Sequence, residues 1–180
     1  MGRRVPIVAT LAAAVCASAA VLGAGQAAGA PVPGWGQYGG SAAHAGAALA
    51  SAAPARSAVG HLHAVWSVPV SLGSDGAGPE PSPVASGGTV FAGSPGGVLY
   101  ALAAATGAHR WTVTLHAGAP LSTPAVAGGV VYIGVGAPVD DLVALSAATG
   151  RRLWSRHTDA SGWVDAPTVA GGRVFVATGA

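Results

Sequence analysis

The side chains of this 180-residue chain that could do chemistry are few and scattered. The only glutamate, Glu80, sits in the proline-rich stretch Gly78-Pro79-Glu80-Pro81. Asp140-Asp141 could offer oxygens to a calcium ion, but calcium takes about six to eight oxygen ligands at roughly 2.3–2.6 Å. No other acidic ligand stands near them in sequence, so the pair reads first as a solvated turn. His61 and His63 are two apart and share one face of a strand, which gives two legs of a metal site and no third. Trp163 and Asp165 in Ser161-Gly162-Trp163-Val164-Asp165 pair an aromatic face with a carboxylate. Such a face could stack on a sugar, a quinone or a partner side chain, or pack inside the fold. Cys16 is the only cysteine, and Val15 stands where a lipidation signal wants a small residue. A disulfide is therefore excluded. No paired carboxylates recur at useful spacing, so neither a catalytic set nor a metal site is predicted within these residues.

Composition narrows the classes further. Charged residues make up 8% of the chain, and the net charge of +2 comes from arginines without any lysine. Arg151-Arg152 with Arg156 is the only basic cluster, too sparse for a nucleic-acid footprint. Residues 1–30 have the form of a secretory signal peptide. Arg3-Arg4 opens them, an Ala/Val/Leu-rich stretch follows from Val5 to Gly25, and small residues flank Ala27 and Ala30. Cleavage after Ala27 suits them better than cleavage after Ala30, where Pro31 follows. An uncleaved leader is the one route to a membrane anchor. Residues 31–60, rich in Ala, Gly and Ser, read as a flexible lead-in.

What must position any functional group is a repeat. Ala101-Leu102-Ala103-Ala104-Ala105-Thr106-Gly107-Ala108-His109-Arg110-Trp111 is answered by Ala144-Leu145-Ser146-Ala147-Ala148-Thr149-Gly150-Arg151-Arg152-Leu153-Trp154, 43 residues later. Each copy is preceded by a proline, a Gly-Gly pair and an apolar run: Pro83, Gly87-Gly88 and Val90-Phe91-Ala92, then Pro124, Gly128-Gly129 and Val130-Val131-Tyr132-Ile133. A third copy opens at Pro167 with Gly171-Gly172 and Val174-Phe175-Val176. A period near 43 residues fits blades of four short strands. The Gly-Gly pairs read as two-residue hairpin turns, the prolines as strand starts, and Thr-Gly as the turn into a fourth strand carrying Trp. Near-continuous apolar runs suit strands covered on both faces. Blades are predicted at about 82–115, 123–157 and 166–180. Ahead of them His61-Leu62-His63-Ala64-Val65-Trp66-Ser67-Val68-Pro69-Val70 reads as an isolated fourth strand.

The pattern Ala-Leu-x-x-x-Thr-Gly-x-x-x-Trp resembles the tryptophan-docking repeat of pyrroloquinoline-quinone-type (quinoprotein-like) β-propellers. The resemblance covers about residues 61–180. It implies an all-β fold and an incomplete ring of about two and a half blades with an N-terminal closing strand. It assigns blade-docking roles to Trp66, Trp111 and Trp154 and to the corners Thr106-Gly107 and Thr149-Gly150. Trp111 and Trp154 are then equivalent and buried between adjacent blades. The chain departs from the family pattern at Ala103 and Ser146, where an Asp is usual. The short segment Trp35-Gly36-Gln37-Tyr38-Gly39-Gly40 resembles the aromatic-glycine lead-in of such propellers.

Three functions fit. The first is a secreted or cell-envelope propeller that binds a protein or envelope component and is non-catalytic within this segment. The second is the N-terminal part of a quinoprotein dehydrogenase, whose quinone and calcium ligands would lie in further blades. The third is a carbohydrate- or polymer-binding module. In each, Trp163, Asp165, Asp140 and Asp141 are the candidates to face a ligand. Ending inside a blade, the chain reads as a fragment of a longer propeller, or as a chain that completes a ring with others.

Overall fold

The Gly-Gly pairs set the blades. Gly87 and Gly88 have φ of 55° and 72°, Gly128 and Gly129 56° and 76°, Gly171 and Gly172 55° and 72°. Two successive positive φ angles make the turn whose twist matches flanking antiparallel strands. The computed structural model describes residues 10–13, 36–40, 57, 63–70, 81–158 and 163–179. Its strands in chain order are β1 (Thr10–Ala13), β2 (Trp66–Pro69), β3 (Val84–Ser86), β4 (Thr89–Ala92), β5 (Val98–Ala103) and β6 (His109–Thr114). There follow β7 (Ala125–Ala127), β8 (Val130–Val135), β9 (Asp141–Ser146), β10 (Arg152–His157), β11 (Thr168–Ala170) and β12 (Arg173–Phe175).

The strands form two antiparallel four-stranded sheets, β3-β4-β5-β6 and β7-β8-β9-β10, each ordered as in sequence. Strands β11 and β12 repeat the first hairpin of each sheet. The fold is all-β, an open part of a propeller. The first strands β3, β7 and β11 lie side by side at the inner edge.

Alternation along each strand sends neighbouring side chains to opposite faces. In the first blade Phe91, Leu99 and Ala101 turn toward the second and pack with Val131, Ile133, Val143 and Leu145. Val90, Tyr100 and Leu102 turn the other way and pack with Trp66 and Val68. A strand with both faces covered must be apolar throughout, which is why β5 reads Val-Leu-Tyr-Ala-Leu-Ala.

Both full blades carry a bulge at the same place. Ala101 pairs with Trp111 and Leu102 with His109, leaving Arg110 unpaired. Ala144 pairs with Trp154 and Leu145 with Arg152, leaving Leu153 unpaired. The extra residue returns the tryptophan to the face of Phe91 or Tyr132, with ring centroids 5.8 and 6.0 Å apart.

Two segments ahead of the blades find partners. Part of the lead-in read as flexible is fixed: Gln37 is buried, its Oε1 accepts from Val169 N at 2.9 Å, and Gly36 O accepts from Val126 N. Val126 and Val169 are equivalent, 43 residues apart on β7 and β11. Their N–H groups at the inner edge need acceptors, and the lead-in supplies both. Four residues of the expected leader, β1, pair antiparallel with β2, Ala13 opposite Trp66. A free strand edge recruits an available extended segment, and this pairing exists only in the uncleaved chain.

Candidate functional site

Thr-Gly corners receive tryptophans. In the first blade Gly107 N donates to Ala103 O at 2.8 Å, Ala103 N to Ala108 O at 2.8 Å, and Ala108 N to Thr106 Oγ1 at 3.3 Å. In the second, Gly150 N donates to Ser146 O at 2.8 Å, Ser146 N to Arg151 O at 2.9 Å, and Arg151 N to Thr149 Oγ1 at 3.3 Å. Backbone carbonyls of Ala103 and Ser146 thus hold the turn where the family pattern has Asp. Gly107 and Gly150 both have φ of 72°. A Cβ on Gly107 would stand 2.8 Å from the Trp66 ring, and one on Gly150 2.8 Å from the Trp111 ring. Trp66 Nε1 donates to Ala104 O and Trp111 Nε1 to Ala147 O, each at 2.9 Å. Each joint therefore combines an indole laid on a glycine with one hydrogen bond to the same corner.

Trp154 meets no such corner among the described residues, and it is 36% exposed. Tyr132 leans on its ring.

Asp140 and Asp141 lie in different surroundings. In the structure Asp140 takes the place of Gly97 in the first blade and Asp141 that of Val98. Asp140 has φ of 48° where Gly97 has 82°, and Thr158 N donates to Asp140 O as Leu115 N does to Gly97 O. Asp141 begins β9 as Val98 begins β5. Asp140 is buried, and among the described residues its Oδ1 has no hydrogen-bond partner. Asp141 Oδ1 faces His157 Nδ1 at 3.4 Å on the surface, a pair worth about 0–1 kcal/mol at most. His63 is exposed, while His61, Glu80 and Cys16 lie outside the described residues. Among the described residues, no three His, Cys, Asp or Glu side chains gather as a cation would need.

A cleft of about 930 Å³ opens beside the inner strands. Tyr38 from the lead-in, Pro120 and Ser122 from the second blade, and Trp163, Asp165 and Phe175 from the third line it. Of the sequence candidates, the structure brings Trp163 and Asp165 to this cleft and leaves Asp140 and Asp141 off it. Trp163 and Asp165 occupy a repeated backbone. Leu121 bridges Val135 as Val164 bridges Thr178. Gly136 N donates to Pro120 O at 2.8 Å as Gly179 N does to Trp163 O at 3.1 Å. Ser122 N donates to Gly134 O and Asp165 N to Ala177 O, both at 2.9 Å. So Trp163 stands where the second blade has Pro120, and Asp165 where it has Ser122. Val164 between them is buried, as Leu121 is, and the flanking side chains face the cleft. Gly179 lies against the indole, since a Cβ there would stand 2.6 Å from Cε2. The exposed Phe175 has a different origin: its equivalents Phe91 and Tyr132 pack on fourth-strand tryptophans. Sequence reasoning missed Gln37 and Tyr38, whose only signal was the aromatic-glycine segment containing them.

Blades of four antiparallel strands, inner strands side by side, and tryptophans docked on Thr-Gly corners define a PQQ-like β-propeller. The chain belongs to the family described as outer membrane protein assembly factor BamB, which matches residues 61–160 and 123–180. No curated protein matches it. Among solved structures it is similar to the quinohemoprotein alcohol dehydrogenase from Comamonas testosteroni. The identity is 25% and the TM-score 0.62, over 79% of this chain and 22% of that one. BamB from Moraxella catarrhalis matches at 19% identity and a TM-score of 0.39, over 64% of this chain and 49% of that one. The chain thus spans about a fifth of the dehydrogenase's length.

Quinone and calcium sites need convergent acidic and amide oxygens. The chain has no Asn, and among the described residues Asp165 is the only carboxylate lining the cleft. The described residues do not fit that pair of cofactors.

Proposed function

We propose that this chain is part of a secreted or cell-envelope PQQ-like propeller that binds a protein or envelope component and does no chemistry within this segment. One observation carries the reading. Two consecutive blades share one backbone at the cleft rim, yet Pro120 and Ser122 become Trp163 and Asp165. A tryptophan left 63% exposed on the cleft rim stabilises the fold little and suits recognition. The leader-like N-terminus and the family's description support an extracytoplasmic location.

The test is a photo-cross-linking residue at position 163 in the producing cell, with position 112 on the exposed face of β6 as control. A discrete adduct from 163 and none from 112 is expected. Equal labelling from both, or none from either, would remove the reading. A second reading is the N-terminal part of a quinoprotein dehydrogenase, favoured by the 25% identity to the alcohol dehydrogenase. It predicts dye reduction with an alcohol once pyrroloquinoline quinone and calcium are added to the longer protein. The binding reading predicts none.

A further inference from the structure

The chemistry of the rim narrows what it binds. Asp165 is the only cleft-lining residue of formal charge among those described, so the cleft is negative in a chain whose net charge is +2. Its Oδ1 accepts from Ala166 N at 3.1 Å, which fixes the carboxylate on the rim while its side chain stays exposed. Two residues before it, the Trp163 indole rests on Gly179 and is 63% exposed. The Tyr38 ring, 54% exposed, lines the same cleft on a lead-in anchored through Gln37. An aromatic face beside one carboxylate is the arrangement that holds a guanidinium. The planar cation stacks on the ring and its N–H fork meets the carboxylate. A neutral sugar gains nothing from the charge, and sugar sites need several polar side chains. Here Ser122 and Thr123 are already committed: Gly134 N donates to Ser122 Oγ and Ser82 N to Thr123 Oγ1, both at 2.9 Å.

We propose that the rim formed by Trp163 and Asp165 binds an arginine side chain presented by an extended basic segment of a partner protein. About 930 Å³ is room for several residues rather than one ammonium group. The inference rests on the binding-module reading and gives that site its ligand class.

The experiment titrates the purified full chain with a capped Arg-Gly repeat peptide by isothermal calorimetry, at low and at physiological salt. A Glu-Gly peptide, spermidine and a neutral glucose oligomer are titrated alongside. The Arg-Gly peptide is expected to bind and to weaken as salt rises. Asp165→Asn and Trp163→Ala are each expected to weaken it by about fivefold or more, with melting temperature unchanged. Trp163→Phe keeps an aromatic face and should retain part of the affinity. Gly179→Ala displaces the indole and should weaken binding with Asp165 intact. No binding by the Arg-Gly peptide overturns the proposal, as does full affinity in Asp165→Asn. Equal binding of spermidine overturns the peptide assignment, and salt-independent binding of the glucose oligomer reassigns the rim to sugars. A cross-link from position 163 with no peptide binding would keep the binding module and remove only its basic ligand.

Discussion

Gly150→Ala isolates the joint between blades. The new methyl would stand 2.8 Å from the Trp111 ring, and the residue keeps φ of 72°. Left-handed backbone costs a non-glycine residue about 1–2 kcal/mol. Forcing a methyl into a packed contact adds about 1–3 kcal/mol. The expected loss is therefore about 2–5 kcal/mol. Gly128→Ala is the control. Its φ is 56°, but nothing lies within 4 Å of the added Cβ, so only the backbone part of about 1–2 kcal/mol applies. Urea unfolding followed by far-UV circular dichroism reads both. The decisive comparison repeats Gly150→Ala in a Trp111→Ala background, where the clash is gone and the loss should fall to the control's value. A coupling of about 1–3 kcal/mol is thus expected between positions 111 and 150. If Gly150→Ala costs the same with and without the indole, the tryptophan-on-glycine joint is wrong.

Other perturbations read different parts of the structure. Trp111→Ala removes a half-buried indole, its bond to Ala147 O and its contact with Phe91, and should cost about 3–5 kcal/mol in the same unfolding assay. Gln37→Ala leaves Val169 N without its acceptor and should cost about 1–3 kcal/mol, with faster hydrogen exchange at the Val169 amide. Asp140→Gly removes a buried carboxylate oxygen that has no partner among the described residues and a side chain at φ of 48°. It should raise the melting temperature, by about 1 kcal/mol of stability after glycine's entropy loss. A lower melting temperature would show that Asp140 has a partner in solution.

The blades were legible because their signals are local and repeated. Gly-Gly turns, a Pro at each first strand and Trp at a fixed distance from Thr-Gly each act within a few residues, and the period of 43 aligns them. The direction of docking was harder to read. Trp66 and Trp111 each serve the corner of the blade after their own, at Gly107 and Gly150. The anchoring of Gln37 on Val169 was not legible at all, since 132 residues separate them and the surrounding segment is poor in large side chains. Asp140 reads in the sequence as part of a solvated turn. The backbone shows a turn there, with Asp140 buried in a glycine's place. Trp163 and Asp165 stood out in the sequence only as departures from the repeat. Their joint position on one rim required the backbone bonds that equate them with Pro120 and Ser122.

The most direct measurement takes stability and Arg-Gly peptide affinity on the same samples of Trp163→Ala and Trp111→Ala. If the repeat separates scaffold from site, Trp163→Ala keeps the unfolding free energy within about 0.5 kcal/mol and loses affinity, as a surface change should. Trp111→Ala, under conditions where it remains folded, loses stability and keeps affinity. A Trp163→Ala chain that binds normally, or that unfolds as readily as Trp111→Ala, would contradict the account.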